Sequence, residues 1–384
     1  MGYKSSSKLE FLRPVKHAND SGLTEKAPMD LANYNFLLTG ITREVDQKDN
    51  SVTIDPVALQ LPWPSSFPAA RQSKYWLEAE AAGKDLLQQV REASCSLPGR
   101  LPENFSQPLP HRELSVMELD RVANASGCAV YMHPDCGKTE VSIISKLDHL
   151  IWLHDDVVET QSFDSSESTI TEIIVRYWPE ILVNPQSFHA YSGDWFVKLA
   201  LEIMSANTQG PGLMRAFFSW MGATRLETRE DFTSLREYLD YRAVDIGQDY
   251  IFACVRFSEN IQLSKTEEDP LGKLKKLSID HIILVNDSFS YEKEIQDSRR
   301  HKSPCINAIK YIGDTLAIEK KSAKKVAGCL LRTLESQICE EYKQLQDSEV
   351  LNLSQVRTYK IMRLGFGNNF LSTAHGMQFQ VALY

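Results

Sequence analysis

No two cysteines in this chain stand at the Cys-x-x-Cys spacing of a zinc or redox site. The seven present, Cys95, Cys128, Cys136, Cys254, Cys305, Cys329 and Cys339, are odd in number and widely scattered. They read as reduced thiols of a cytoplasmic protein rather than as a disulfide framework. Long apolar runs are missing too: no window approaches the roughly eighteen residues a membrane span needs, and Met1-Gly2-Tyr3-Lys4-Ser5 lacks the apolar core of a secretion signal. Positive charge is in deficit, 42 Lys and Arg against 51 Asp and Glu, for a formal net charge of −9. Such a surface does not follow nucleic-acid phosphates or anionic lipid. Nucleic acid and membrane insertion are therefore not expected, and any anion this protein binds needs a metal.

Apolar material is plentiful, 42% of 384 residues, enough for one large core or two modest ones. The first hundred or so residues are rich in Pro, Ser and Asn. They include the extended-looking Ser51-Val52-Thr53-Ile54-Asp55 and the turn-rich Leu61-Pro62-Trp63-Pro64, and one helical stretch covers about 74–93. Residues 1–110 are read as an extension packed on a main domain at 111–384. From Leu119 onward apolar residues recur at three and four positions. Helices are expected at about 140–160, 168–182, 194–205, 212–222, 233–257, 274–297, 305–314, 318–345 and 352–372. Asn184-Pro185, Gly210-Pro211-Gly212, Asp269-Pro270 and Ser303-Pro304 punctuate them. The fold class is all-α. The Lys-rich patches at 273–276 and 320–325 read as solvated faces.

Two oxygen-rich constellations stand out. In Trp152-Leu153-His154-Asp155-Asp156-Val157-Val158-Glu159, Asp155 and Glu159 share one helix face at four-residue spacing, with Asp156 beside them. Three carboxylates on one turn repel one another. They fit either a solvated helix end or a hard divalent cation such as Mg²⁺. In Val285-Asn286-Asp287-Ser288-Phe289-Ser290-Tyr291-Glu292-Lys293-Glu294, Asn286, Ser290 and Glu294 recur every four residues. They form a stripe of amide, hydroxyl and carboxylate oxygens able to hold a second cation. Asn and Ser are mediocre inside helices because their side chains compete for the backbone, so their presence asks for a reason.

Asp-Asp-x-x-Glu, followed about 130 residues later by Asn-Asp-x-x-Ser-x-x-Lys-Glu, resembles the aspartate-rich and NSE motifs of class I terpene synthases of fungal type. The resemblance covers about Leu119 to Phe379. It implies a helical bundle around a central cavity and a cluster of Mg²⁺ ions, three in number, with Mn²⁺ as a substitute. By it, Asp155 would bridge metal ions with Asp156 and Glu159 in support, Asn286, Ser290 and Glu294 would ligate metal, and Lys293 would hold a diphosphate oxygen. Between the motifs, Leu235-Arg236-Glu237-Tyr238-Leu239-Asp240-Tyr241-Arg242-Ala243-Val244-Asp245-Ile246-Gly247 resembles the segment that carries the diphosphate-sensing arginine. Arg242 would be that sensor, oriented by Asp245. Ile246 and Gly247 would sit at a helix break whose carbonyl points at the substrate. An ordinary surface Arg–Asp pair is the other reading of this spacing.

The C-terminus departs from the pattern. Gly367-Asn368 is present, but the neighbourhood of Met377-Gln378-Phe379 replaces the Arg-Tyr pair that many members carry there. Arg357, Lys360 and Arg363 are candidates for the missing positive cap.

A carbocation needs a dry pocket with aromatic walls, for which Trp152, Tyr131, Phe217, Phe218, Trp220, Phe252 and Tyr291 are candidates. His154 is expected to pack beside the acidic cluster rather than ligate. The resemblance implies cyclisation of farnesyl diphosphate to a sesquiterpene by a monomer or homodimer. A diterpene cyclase acting on geranylgeranyl diphosphate, or a non-catalytic isoprenoid-binding protein, are the alternatives.

Overall fold

The computed structural model describes residues 50–55, 63–67, 69–92, 113–160, 166–223, 229 and 231–347, without the side chains of 92, 155–160, 166–169 and 346. The expected helix at 352–372, its Gly367-Asn368 neighbourhood and the candidates Arg357, Lys360 and Arg363 lie outside the described residues.

Extended Ser51–Ile54 forms β1 and pairs antiparallel with β2, Ala70–Ser73, in the register Ser51 opposite Ser73. Helix α1, Trp76–Glu92, packs on α2 (Val116–Met132) and α3 (Lys138–Thr160). Gly83 permits the close approach of α1 and α2, since a Cβ there would stand 3.0 Å from Val122 Cγ1. Ser145 Oγ on α3 donates to the Ala79 carbonyl at 2.8 Å and lies 3.0 Å from Ser126 Oγ, which satisfies polar groups inside this junction. The sequence reading placed no separate helix over 116–132. A capping box starts it there, Ser115 and Glu118 each bonding the other's backbone N–H.

Helices α4 (Ser166–Val183), α5 (Trp195–Ala206) and α6 (Gly210–Ala223) complete one half of the core. The run expected to be one helix over 233–257 is two, α7 (Leu235–Asp245) and α8 (Gln248–Glu259), broken where Gly247 takes φ 77°. Only glycine adopts that backbone without strain. The second half of the core gathers around α9, Gly272–His301, with α10 (Ala308–Leu316) and α11 (Lys320–Asp347) against it.

Helix α8 belongs to both halves. Tyr250, Ala253, Cys254 and Phe257 face the first, whereas Phe252 and Val255 face the second. Helix α3 packs against both α8 and α9. Among the described residues the cysteines are free thiols, and no helix is long and apolar enough to cross a membrane.

Candidate active site

The break after α7 positions the candidate sensor. Arg242, in the last turn of α7, forms an ion pair with Asp245 and reaches across to α9, its Nε 3.2 Å from Asp287 Oδ1. Its Nη2 stands 3.5 Å from Asn286 Oδ1 and 4.0 Å from Glu294 Oε1. One guanidinium thus touches the break and the amide and carboxylate of the α9 stripe. A surface Arg–Asp pair would do neither. Burial works against its charge, but Asp287, Asp245 and Glu294 together outweigh this and hold the guanidinium more firmly protonated than usual.

Asp287 is the anchor beneath it, with no exposed side-chain surface. It accepts hydrogen bonds from Tyr238 Oη, one turn before Arg242 on α7, and from the Ala308 backbone N–H at 2.9 Å. Burial nevertheless pushes its pKa up, opposed by Arg242 and the Tyr238 hydroxyl.

Asn307, the residue that caps α10, ties the stripe together. Its Oδ1 accepts from the Ile309 N–H at 2.8 Å, while its Nδ2 lies 2.8 Å from the Asp287 carbonyl, 2.9 Å from Glu294 Oε2 and 3.4 Å from Ser290 Oγ. Ser290 Oγ donates to the Asn286 carbonyl at 2.9 Å. Burial, then the nearby Asp287, pushes Glu294 up to about 7 against the pull of Arg242, Ser290 and Asn307. The donors of the stripe are all oxygens, the set that a hard divalent cation prefers. Among the described residues no group of three or more His, Cys, Asp or Glu forms a cation site by itself. Further ligands have to come from elsewhere, and the side chains of Asp155, Asp156 and Glu159 lie outside the described set.

A chain of contacts nevertheless leads to the helix turn that carries them. His154, buried on α3 immediately before Asp155, packs its ring edge-on to Trp220 at 5.4 Å, and its Nδ1 lies 3.1 Å from Thr171 Oγ1. Trp220 Nε1 donates to the Asp245 carbonyl at 2.8 Å. Gly247 is needed at this point for a second reason, because a Cβ there would meet Trp220 Nε1 at 3.1 Å.

Phe217 is fully buried between Trp178 and Tyr250, ring centroids 5.4 Å from each, and Phe218 and Trp152 are partly buried. Tyr131 is enclosed in the same half of the core. Tyr291 is not brought to this group: its ring lies under Lys324 Nζ of α11 at 5.9 Å. Phe252 likewise packs in the second half, under Lys275 Nζ at 5.5 Å. Lys293 is partly buried on α9. Sequence reading assigned no role to Asp287, Tyr238 or Asn307. The four-residue step from Tyr238 to Arg242 was a usable sign, and so was an Asn directly before the apolar start of α10.

Fold and site together define the helical class of isoprenoid synthases. Residues 146–335, which include every residue from Asp155 to Glu294 discussed above, match the family described as terpene synthase family 2, C-terminal metal binding. The chain is 30% identical over 355 residues to terpene cyclase 6 of Gibberella fujikuroi, spanning 91% of this chain and 90% of that one. It is 28% identical over 328 residues to terpene cyclase aneC of Aspergillus aculeatus, spanning 84% and 72%. The crystal structure of aristolochene synthase from Penicillium roqueforti shares the fold, with TM-score 0.54 at 17% identity over 77% of this chain and 93% of that one. The chain belongs to the terpene synthase family, as a fungal-type class I terpene cyclase, a lyase acting on prenyl diphosphates.

Proposed function

We propose that this cyclase ionises farnesyl diphosphate with Mg²⁺ and closes the carbocation to a sesquiterpene, releasing diphosphate. The observation that carries the reading is Arg242, which contacts Asp245, Asp287 and the Asn286–Glu294 stripe at once. Asn286, Ser290 and Glu294 would hold metal from α9, and Asp155, Asp156 and Glu159 would hold it from the end of α3. Three Mg²⁺ ions, or Mn²⁺, would neutralise the departing diphosphate as Lewis acids.

The chain's own residues do the rest. Arg242 offers a planar fork that grips phosphate oxygens in pairs, which a lysine cannot do. Asp245 and Asp287 fix the plane of that fork, and Lys293 adds a point charge one residue before Glu294. On this reading the hydrocarbon tail runs toward Trp152 and Phe218, which keep accessible surface, and their aromatic faces exclude water and stabilise positive charge. We place the reaction in the cytoplasm, carried out by a monomer or homodimer.

The test is to incubate the purified protein with Mg²⁺ and either farnesyl or geranylgeranyl diphosphate, measuring released diphosphate and volatile products. Farnesyl diphosphate should give the higher kcat/KM, and Asp155→Asn should lower turnover by roughly 100-fold or more with the fold intact. A preference for geranylgeranyl diphosphate would make the enzyme a diterpene cyclase. Undiminished activity in the variant would remove Asp155 from the site.

A further inference from the structure

The two oxygens of the Asp287 carboxylate have separate partners. Oδ1 meets Arg242 Nε at 3.2 Å, while Oδ2 accepts from the Ala308 N–H at 2.9 Å and from Tyr238 Oη. The guanidinium divides in the same way. Its Nε is taken by Asp287 and its Nη1 by Asp245, whereas Nη2 has only long contacts, 3.5 Å to Asn286 Oδ1 and 4.0 Å to Glu294 Oε1. Nη2 is thus the least engaged donor of the fork, and it faces the stripe. Its aim depends on the plane of the Asp287 carboxylate, which the two donors on Oδ2 set. One of them is main chain on α10; the other is a side chain, free to swing away unless its ring is held.

The ring is held. Tyr311 of α10 stacks on Tyr238 with centroids 5.5 Å apart and planes 17° apart, and Phe232 stands edge-on to it at 5.3 Å. Phe232 belongs to the segment entering α7. It also packs on Tyr241 at 5.3 Å and Tyr311 at 6.3 Å, with the Arg229 guanidinium 5.1 Å from its ring centroid. Glu237 folds that segment back on the first turn of α7, accepting from the Thr233 N–H at 2.7 Å and hydroxyl at 2.6 Å and pairing with Arg229. Rings from the entry segment, α7 and α10 therefore enclose Tyr238, which is 1% exposed. Close packing of this kind removes the rotamers that would carry the hydroxyl away from Asp287.

A phenylalanine would serve the ring cluster equally well. The hydroxyl answers to the carboxylate, and burial followed by the nearby Asp287 pushes its pKa up, so that it stays a neutral donor.

Resting on the cyclase reading above, we propose that Tyr238 is a positioning residue for the reaction: clamped by Phe232 and Tyr311, its hydroxyl fixes the Asp287 carboxylate so that Arg242 presents Nη2 to the diphosphate. Tyr238 touches no substrate atom and acts through Arg242. A misaimed donor costs most where charge builds on the departing diphosphate, so the effect falls on ionisation more than on binding.

The experiment measures single-turnover diphosphate release and steady-state KM, with Mg²⁺ and farnesyl or geranylgeranyl diphosphate, for wild type, Tyr238→Phe, Arg242→Lys and the double variant. Tyr238→Phe keeps the stack and removes only the hydroxyl. It should slow release by roughly tenfold with KM within about threefold of wild type. Added to Arg242→Lys it should cost less than about threefold, because a lysine has no fork for Asp287 to aim. A residue that merely held the fold would slow both backgrounds alike. Tyr311→Leu, which opens the stack and leaves the hydroxyl in place, should slow release in the wild-type background and not in Arg242→Lys. A normal rate in Tyr238→Phe, a loss carried by KM alone, or a further loss of about threefold or more in Arg242→Lys would each overturn the inference and leave the cyclase reading intact. Absence of diphosphate release by the wild type would overturn the cyclase reading and this inference with it. Where Tyr238→Phe fails to fold, Tyr311→Leu in the two backgrounds decides by the same criterion.

Discussion

Arg242 Nε lies 3.2 Å from Asp287 Oδ1, and the carboxylate it meets has no exposed surface at all. This contact joins the end of α7 to the middle of α9, so the candidate sensor is aimed by a residue from a different helix as well as by its neighbour Asp245. Asp287 also receives Tyr238 Oη and the Ala308 N–H. One buried carboxylate thereby gathers three elements, α7, α9 and α10, around the stripe.

Removing that carboxylate strands one charge and two donors. Asp287→Ala should destabilise the protein by about 3–5 kcal/mol, the usual penalty for breaking a buried pair. Asp287→Asn, which keeps the shape, should lose less. Denaturant titration of both variants against wild type checks this, and equal, small losses would show that the pairing contributes little.

Arg242→Lys keeps a positive charge but loses the fork. Single-turnover diphosphate release should fall by roughly 100-fold or more, with unfolding less affected than in Asp287→Ala. A near-normal rate would take Arg242 out of the reaction.

Asn307 has two separable jobs, capping α10 through Oδ1 and holding Glu294 and the Asp287 carbonyl through Nδ2. Asn307→Ala should lose about 0.5–2 kcal/mol from the cap and also weaken activity. Asn307→Ser restores a cap without the reach to Glu294. It should recover most of the stability yet still raise the Mg²⁺ concentration needed for half-maximal turnover. Parallel loss or parallel recovery of both properties would mean that the two jobs are one.

Gly247→Ala should destabilise by about 1 kcal/mol for the backbone alone, because φ 77° is unfavourable for a residue with a Cβ. The added methyl also meets Trp220, whose Nε1 bonds the Asp245 carbonyl. Product proportions should therefore change along with the melting temperature. A lower melting temperature with wild-type products would confine the effect to the backbone.

Two buried histidines contribute to the loss of stability in acid. Burial lowers His133 to about 4, and burial followed by Arg121 lowers His149 to about 3, against an ordinary 6.5. Both are neutral in the fold, so their contribution is fully present above pH 6.5 and is lost as pH falls toward 4 and 3. Asp148, raised to about 7, runs the other way, contributing most at low pH and losing it as pH rises to 7. His149→Leu isolates the histidine effect. Its stability advantage over wild type should grow below pH 6.5 by about 1.4 kcal/mol per pH unit. A pH-independent difference would show that His149 is charged in the fold or accessible to water.

Local pattern carried most of the secondary structure and the candidate residues. Apolar recurrence at three and four positions announced the helices from Lys138 onward, because an amphipathic helix writes its buried face into its spacing. The four-residue steps of Asn286, Ser290 and Glu294 and of Asp155 and Glu159 were readable for the same reason. Periodicity could not show that 233–257 breaks in two, because the apolar rhythm runs through the break. A helix over 116–132 was passed over because its small buried residues, Ala125, Ser126, Gly127 and Ala129, carry little apolar signal.

The amino-acid order by itself therefore determined which side chains share a helix face, and the resemblance built on those faces named the chemistry. Tertiary structure alone decided which faces meet. Asp287 beneath Arg242, Asn307 across the stripe from Glu294, and Tyr250 on Asp148 join positions 45, 13 and 102 residues apart. No local spacing encodes such pairs. They exist because burying the apolar faces of α3, α8 and α9 against one another forces the few polar groups caught between them to satisfy each other.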